Sequence, residues 1–173
     1  MKYYGLILIS FLLAGCGSMP DGIKAVSNFE LNRYMGTWYE IARFDHRFER
    51  GMQQVSATYS LNDDGSVKVL NRGYQTKNNT WEDAIGKAKF SADKTTGHLK
   101  VSFFGPFYGD YLIFDLDEEN YQYSFVTGGE DYLWLLSRTP EVSADVKAKF
   151  IEQAQALGYN TDALIFVDQS KSN

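Results

Sequence analysis

The chain carries a single cysteine, Cys16, in 173 residues. One thiol excludes an intramolecular disulfide and any Cys-x-x-Cys redox or zinc pair, so the fold depends on its apolar core and hydrogen-bond ladders. Proline is nearly as scarce, at three, and histidine stands at two. His46 and His98 fall in polar, loop-like contexts that read as solvated surface, and no cluster of His, Cys, Asp and Glu has metal-ligand spacing. Basic side chains are outnumbered 17 to 22, for a net charge of −5. Without a basic stripe the chain offers no nucleic-acid surface, nor attachment to anionic lipid by charge. The nucleophile elbow, the His-Glu-x-x-His zinc motif, the phosphate loop and the dinucleotide fingerprint are all missing. No catalytic residue, metal or cofactor is therefore assigned, and the chain reads as a non-enzyme.

Long apolar runs are missing as well. The longest, Gly5 to Ala14, falls far short of the roughly 20 residues of a membrane-spanning helix. It stands behind Lys2 and runs at once into Leu13-Ala14-Gly15-Cys16. That arrangement resembles a bacterial lipoprotein signal with its lipobox. The resemblance implies that residues 1–15 are a cleaved signal peptide and that Cys16 is lipidated, with palmitate among its acyl groups, to become the first mature residue. Gly17, in place of an aspartate, favours an outer-membrane anchor, on its periplasmic face. Residues 16–28, rich in Gly, Ser, Pro and Asp without periodicity, read as a lipidated tether, and residues 29–173 as one domain.

What the chain has in quantity is aromatic side chains, 16% of the total, with 12 Tyr, 12 Phe and 3 Trp. Aromatic and β-branched residues suit half-buried pleated surfaces. Strands are expected at 38–44, 55–61, 67–75, 81–90, 99–103, 109–116, 121–127 and 132–138, separated by turn chemistry such as Asn62-Asp63-Asp64-Gly65 and Gly105-Pro106. The rhythm predicts an all-β fold, an eight-stranded antiparallel up-and-down barrel. After Pro140 the period changes. Ser143 is positioned to cap a helix on which Val146, Phe150, Ala154 and Leu157 recur before Gly158, and a short final strand is expected at 164–167. The helix is expected to pack outside the barrel.

Gly36-Thr37-Trp38-Tyr39-Glu40-Ile41, read with Leu133-Trp134-Leu135-Leu136-Ser137-Arg138, resembles the lipocalin family, whose first motif carries the Gly and Trp and whose third carries the Arg. The resemblance spans about 28–169 and is nearest to the bacterial outer-membrane lipocalins and apolipoprotein D. Gly36, Trp38 and Arg138 are thereby expected at one closed end, with the guanidinium on the indole face. The family's second motif survives only as Asp117 and Tyr121. Strand alternation turns Glu40, Ala42 and Phe44 inward with Trp38, and Trp134 and Leu136 inward with Arg138, while Arg43 faces out. The resemblance to apolipoprotein D places Asn71 inward, and Val101, Tyr111 and Ile113 are expected on the inner faces of their strands. Glu40, Ala42, Asn71, Val101, Tyr111, Ile113 and Trp134 are thus the candidate ligand-binding residues. A mainly apolar lining with few polar groups fits a fatty acid or a (lyso)phospholipid, held for storage or transport in the cell envelope. An envelope protein with a structural or stress role, or a lipocalin-fold enzyme, is the competing reading. The resemblance also leaves room for a homodimer.

Replacing Cys16 with Ala removes the thiol that would accept diacylglycerol. The variant is expected to remain unprocessed or mislocalised; processing and co-sedimentation with outer membrane like the parent would disprove the lipobox.

Overall fold

The computed structural model describes residues 18–170, so Cys16 and the signal segment lie outside the described residues. A short helix, α1 (Leu31–Tyr34), precedes eight consecutive strands. These are β1 (Gly36–Arg43), β2 (Met52–Leu61), β3 (Val67–Gln75), β4 (Thr80–Phe90), β5 (His98–Phe104), β6 (Phe107–Leu116), β7 (Tyr123–Gly129) and β8 (Tyr132–Ser137). Helix α2 (Ala144–Ala156), a 3-10 turn at Thr161–Ala163 and β9 (Ile165–Phe166) follow. Each strand pairs antiparallel with the next, and β1 bonds to both β8 and β2, which closes the barrel. Closure joins the two ends of the eight-stranded sheet where β1 lies between β8 and β2.

The barrel is closed unevenly. β1 pairs with β2 only from Gly36 to Tyr39, opposite Tyr59 to Ser56, and the two then diverge. β9 fills the gap, pairing with Ala42 and Arg43, with Val167 N–H donating to the Ile41 carbonyl. On the far side the Gln54 N–H donates to the Asp168 carbonyl, and the Gln169 amide donates to the carbonyls of both Glu40 and Val55. The C-terminal segment thus satisfies backbone groups that the splayed strands leave open.

Two apolar clusters result. Inside the barrel lie Trp38, Val67, Val69, Leu99, Ile113, Val126 and Leu136, with Phe29 and Tyr34 from below. Outside it, α2 covers Ile41, Ala42, Phe125, Leu133 and Leu135 with Phe150 and Ala154. Ser143 Oγ accepts from the Val146 N–H, so the helix begins at the predicted cap, and Asp145 lies in its first turn, where the helix dipole favours a negative charge.

Three features depart from the sequence reading. Helix α1 has no amphipathic repeat long enough to be seen, being a single turn. The stretch read as a tether is not free along its length: the Val26 N–H donates to the Ile113 carbonyl, the Gly97 N–H to Val26, and the Phe29 N–H to Thr95. Most consequential, the register of β1 against β8 shifts between Glu40 and Ala42. This bulge reverses the alternation beyond it. Ala42 and Phe44 therefore belong to the outer cluster beneath α2, and Arg43, expected outside, is buried within the barrel at 1% exposure.

At the closed end the side chain of Arg138 lies 3.9 Å from the Trp38 ring. Its guanidinium also donates to the carbonyls of Arg33 (2.7 Å), Thr37 (3.0 Å) and Tyr121 (3.3 Å). One side chain thereby ties α1, β1 and the β6–β7 turn together. Gly36 has φ +95°, a backbone conformation that favours glycine, and a Cβ there would touch the same guanidinium at 3.4 Å. The Trp38 indole N–H donates to the Tyr34 carbonyl, and its ring packs 4.6 Å from that of Tyr34. Trp38→Ala is expected to lose about 3–5 kcal/mol of unfolding free energy, the range for truncating a large core aromatic. A urea midpoint equal to the parent's would contradict this closed-end architecture.

Candidate functional site

The interior is graded from an apolar base to a polar mouth. Near the base, Tyr111 is tied into a hydroxyl network. Its OH lies 2.8 Å from that of Tyr34 and 3.0 Å from that of Tyr59, and Tyr34 OH lies 3.0 Å from Ser124 Oγ. Burial pushes the Tyr34 phenol up to about 12, and the phenols of Tyr59 and Tyr111 are raised as well for the same reason. The network is neutral at any physiological pH. Above it, Ala57, Val101, Phe103 and Trp134 pack on the inner cluster yet, like Tyr111, are only half-buried. Ile113 is fully buried in the same cluster. Asn71, in mid-β3, is half-buried, and its side-chain oxygen is buried without a donor among the described residues.

Toward the mouth, the bulge in β1 sets Glu40 and Arg43 side by side. Their side chains form an ion pair at 2.8 Å, both almost wholly buried. The loop joining β1 to β2 adds Glu49 and His46, whose carboxyl oxygen and Nε2 lie 2.8 Å apart. Arg43 also donates to the carbonyls of Glu49 and Met52, which folds that loop over the barrel, and its Nε is buried with no acceptor among the described residues. Trp134 faces this group. Its indole N–H reaches toward Glu49 at 3.4 Å, its ring stacks on Tyr132 at 5.8 Å, and His46 meets it edge-on at 5.7 Å.

One guanidinium stands beside two buried carboxylates, so the two acids titrate apart. Burial raises the Glu40 carboxyl well above its usual range, with the neighbouring Glu49 charge adding to the effect despite Arg43. Burial also acts to raise Glu49, but the contacts from His46 and a shared proton from Glu40, together with Arg43, outweigh it and hold Glu49 low. The arrangement sets Glu40, which holds its proton more tightly than an ordinary carboxyl, beside Glu49, which gives its proton up more readily, bracketed by Arg43 and His46. It can donate to and accept from a polar head group at the mouth of an apolar cup.

Of the candidate residues, Glu40, Asn71, Val101, Tyr111, Ile113 and Trp134 come together inside the barrel, and Ala42 does not. Arg43 and Glu49 had no signal in strand parity: the bulge hides the first and the second lies in a loop. His46, read as solvated, is 8% exposed. His98 is likewise no free surface group, since its Nε2 lies 2.7 Å from the Asp110 carboxyl across the β5–β6 pair. In the β6–β7 turn Asp117 accepts from the N–H groups of Asn120 and Gln122, and Tyr121 OH accepts from the Glu30 N–H, so the remnant of the second motif braces the closed end.

This geometry can be set beside known proteins. A lipocalin-like domain model matches residues 29–169. The chain belongs to the lipocalin family. The lipocalin is 55% identical over 170 residues to the outer membrane lipoprotein Blc of Vibrio cholerae, covering 98% of this chain and 99% of that one. It is 49% identical over 166 residues to the protein of the same name from Escherichia coli K12, at 94% and 93% coverage. Apolipoprotein D of the rat is 36% identical over 140 residues, 76% of this chain and 70% of that. Among solved structures, insecticyanin of the tobacco hornworm superposes with a TM-score of 0.71 at 21% identity, covering 90% of this chain and 88% of that, a likeness of fold.

The division of charge has a pH consequence. In the unfolded chain Glu40 ionises near its ordinary value, about 4.3. With its folded value raised, the native state holds the extra proton, so stability falls as pH rises above the unfolded value and through the folded one. Glu40→Gln keeps a neutral group there and lacks this penalty. The urea midpoint of Glu40→Gln relative to the parent is therefore expected to rise from pH 5 to pH 8; an offset independent of pH would mean that Glu40 is charged in the folded protein.

Proposed function

We propose that this lipocalin is a lipid-anchored protein of the outer membrane that holds one long-chain lipid, a fatty acid or a lysophospholipid, in its cup. The observation that carries the reading is the graded interior: half-open aromatic and aliphatic walls at Val101, Phe103, Tyr111 and Trp134, beneath a buried group of Glu40, Arg43, Glu49 and His46. An apolar chain is accepted by the first and a charged or polar head by the second. Asn71 and Glu40 orient the ligand, and the free Nε of Arg43 is a further donor for an acidic head group. The name outer membrane lipoprotein, borne by relatives along nearly their whole length, supports the location, with attachment through acyl chains on Cys16.

The magnitudes suit a carrier. Burying a sixteen-carbon chain at about 0.8 kcal/mol per methylene gains roughly 12 kcal/mol gross. Lost rigid-body freedom and chain ordering offset about a third or more of this, leaving an affinity on the order of micromolar. A ligand so held is retained but released on demand.

The test uses the chain from Ser18 onward, which contains every element of the closed barrel. Titration with palmitate or a lysophospholipid is expected to change tryptophan emission and to saturate near one ligand per barrel, with a short-chain acid binding far more weakly. Trp134→Ala should weaken binding while leaving the barrel folded, because that side chain borders open space. Lack of saturable binding of any long-chain lipid, confirmed by calorimetry, would end this reading.

A further inference from the structure

We propose that the mouth of the barrel rests on the bilayer, its aromatic rim set among the lipid head groups, so that the cup opens onto the leaflet that anchors the chain. The inference rests on the lipidation of Cys16 proposed above, and its geometric content comes from where the described chain begins. Ser18 lies at the mouth, not at the closed end. Its carbonyl accepts from the Glu130 N–H at 3.1 Å and its hydroxyl donates to the Glu130 carboxyl at 2.8 Å. Glu130 is at the tip of the β7–β8 hairpin, which shares the mouth with the β1–β2 loop. Pro20 and Asp21 line one groove with Phe44, Asp45 and His46 of that loop. Two residues of chain reach at most about 7 Å, so acyl groups on Cys16 start beside the mouth. Further along, the backbone of Val26 and Phe29 is bonded to Ile113, Gly97 and Thr95, so the segment runs from the mouth along the barrel toward the closed end.

The mouth is also where the exposed aromatics gather. Phe107 is 79% exposed, Phe104 68% and Phe48 46%, and Trp81 and Tyr108 are exposed near them on β4 and β6. Phe48 and Phe104 come from opposite sides of the barrel and stack at 6.2 Å across the opening. Among the described residues the closed end exposes one large apolar side chain, Leu61, and no aromatic ring; Ile85 in mid-β4 and Phe166 on β9 are exposed along the wall. Arg47 lies over Phe48 at 4.6 Å and Arg72 over Trp81 at 4.8 Å, so guanidinium groups stand at the level of the rings. Exposed rings with cationic groups beside them fit the head-group layer, where apolar faces and phosphates lie within a few ångström of each other. A second copy docked mouth to mouth would cover the same rings, but it would set both anchors at the seam between two barrels. Only a bilayer takes up rim and anchor together.

Lipidation consumes the one native thiol, so a single new cysteine in the full lipidated chain can be spin-labelled uniquely. Labels are placed at Phe107→Cys and, independently, Phe104→Cys at the mouth, and at Asp63→Cys at the closed end, all exposed sites that leave the core untouched. The chain is reconstituted in vesicles of phosphatidylethanolamine and phosphatidylglycerol. Power saturation with oxygen and with a water-soluble nickel chelate is expected to show both mouth labels shielded from the chelate several-fold relative to the Asp63→Cys label, and more accessible to oxygen. Equal access of the chelate to both ends, on a chain that sediments with the vesicles, overturns the proposal. Dipolar broadening at the mouth that disappears on dilution with unlabelled chain overturns it in favour of a second copy. A chain that does not sediment with vesicles removes the Cys16 reading and the proposal with it, whereas loss of lipid binding in the cup leaves this measurement unaffected.

Discussion

The contact of Arg138 with Trp38 is the constraint on which the remaining geometry depends. An eight-stranded barrel can close at both ends, at one, or at neither, and nothing in a ladder of hydrogen bonds chooses among these. Here one guanidinium lies on the indole and donates to three carbonyls from three separate segments. No other residue type supplies a flat cation with this fan of donors; lysine has its three donors on one tetrahedral nitrogen and no planar face to lay on the indole. With that end sealed by α1, Trp38 and the tyrosine hydroxyls, interior space can lie only toward the mouth, and the polarity of the cup follows.

The bulge in β1 is the second determinant, and it acts on both sides of the wall at once. Its effect on the outside is to turn Ala42 and Phe44 under α2, where a small residue lets the helix approach. Its effect on the inside is to bring Arg43 next to Glu40. A regular strand would have given an alanine to the cup and an arginine to the helix interface, which would leave Glu40 unpaired in one place and a charge buried in the other. Such a shift persists because most of what it strands is met elsewhere: the two terminal nitrogens of Arg43 by Glu40 and two carbonyls, the displaced backbone by β9.

The strands, the capped helix and the floor were legible in the sequence because each has a local cause. Alternation, turn residues such as Asn62 to Gly65, and Ser143 ahead of an apolar repeat act over a few positions, and β3 spans 67–75 as expected. The Trp38 and Arg138 pair was legible through its resemblance to a family pattern. What was not legible has non-local causes. Ala42 and Arg43 exchange faces because of a register shift set by β8, and no property of residues 40–43 alone announces it. His46 and Glu49 look like ordinary polar loop residues until the loop folds over the barrel, held by Arg43 bonds to Glu49 and Met52. Val26 looks like part of a linker until its backbone meets Gly97 and Ile113.

The two ends of the barrel therefore solve opposite problems with the same kinds of side chain. At the closed end, buried aromatic rings meet a half-buried arginine, and these polar groups are spoken for: the indole by Tyr34, the guanidinium by three carbonyls, Tyr121 by Glu30. At the mouth, aromatic rings and arginines also sit together, but the rings of Phe104 and Phe107 face solvent and the Arg43 Nε has no acceptor among the described residues. Leaving apolar area exposed and a buried donor unmet both cost free energy in an isolated monomer. A structure that satisfies such groups so thoroughly at one end and not at the other is incomplete at the second. A lipid is one molecule whose hydrocarbon, head group and parent bilayer would meet the cup wall, the polar collar and the rim in that order.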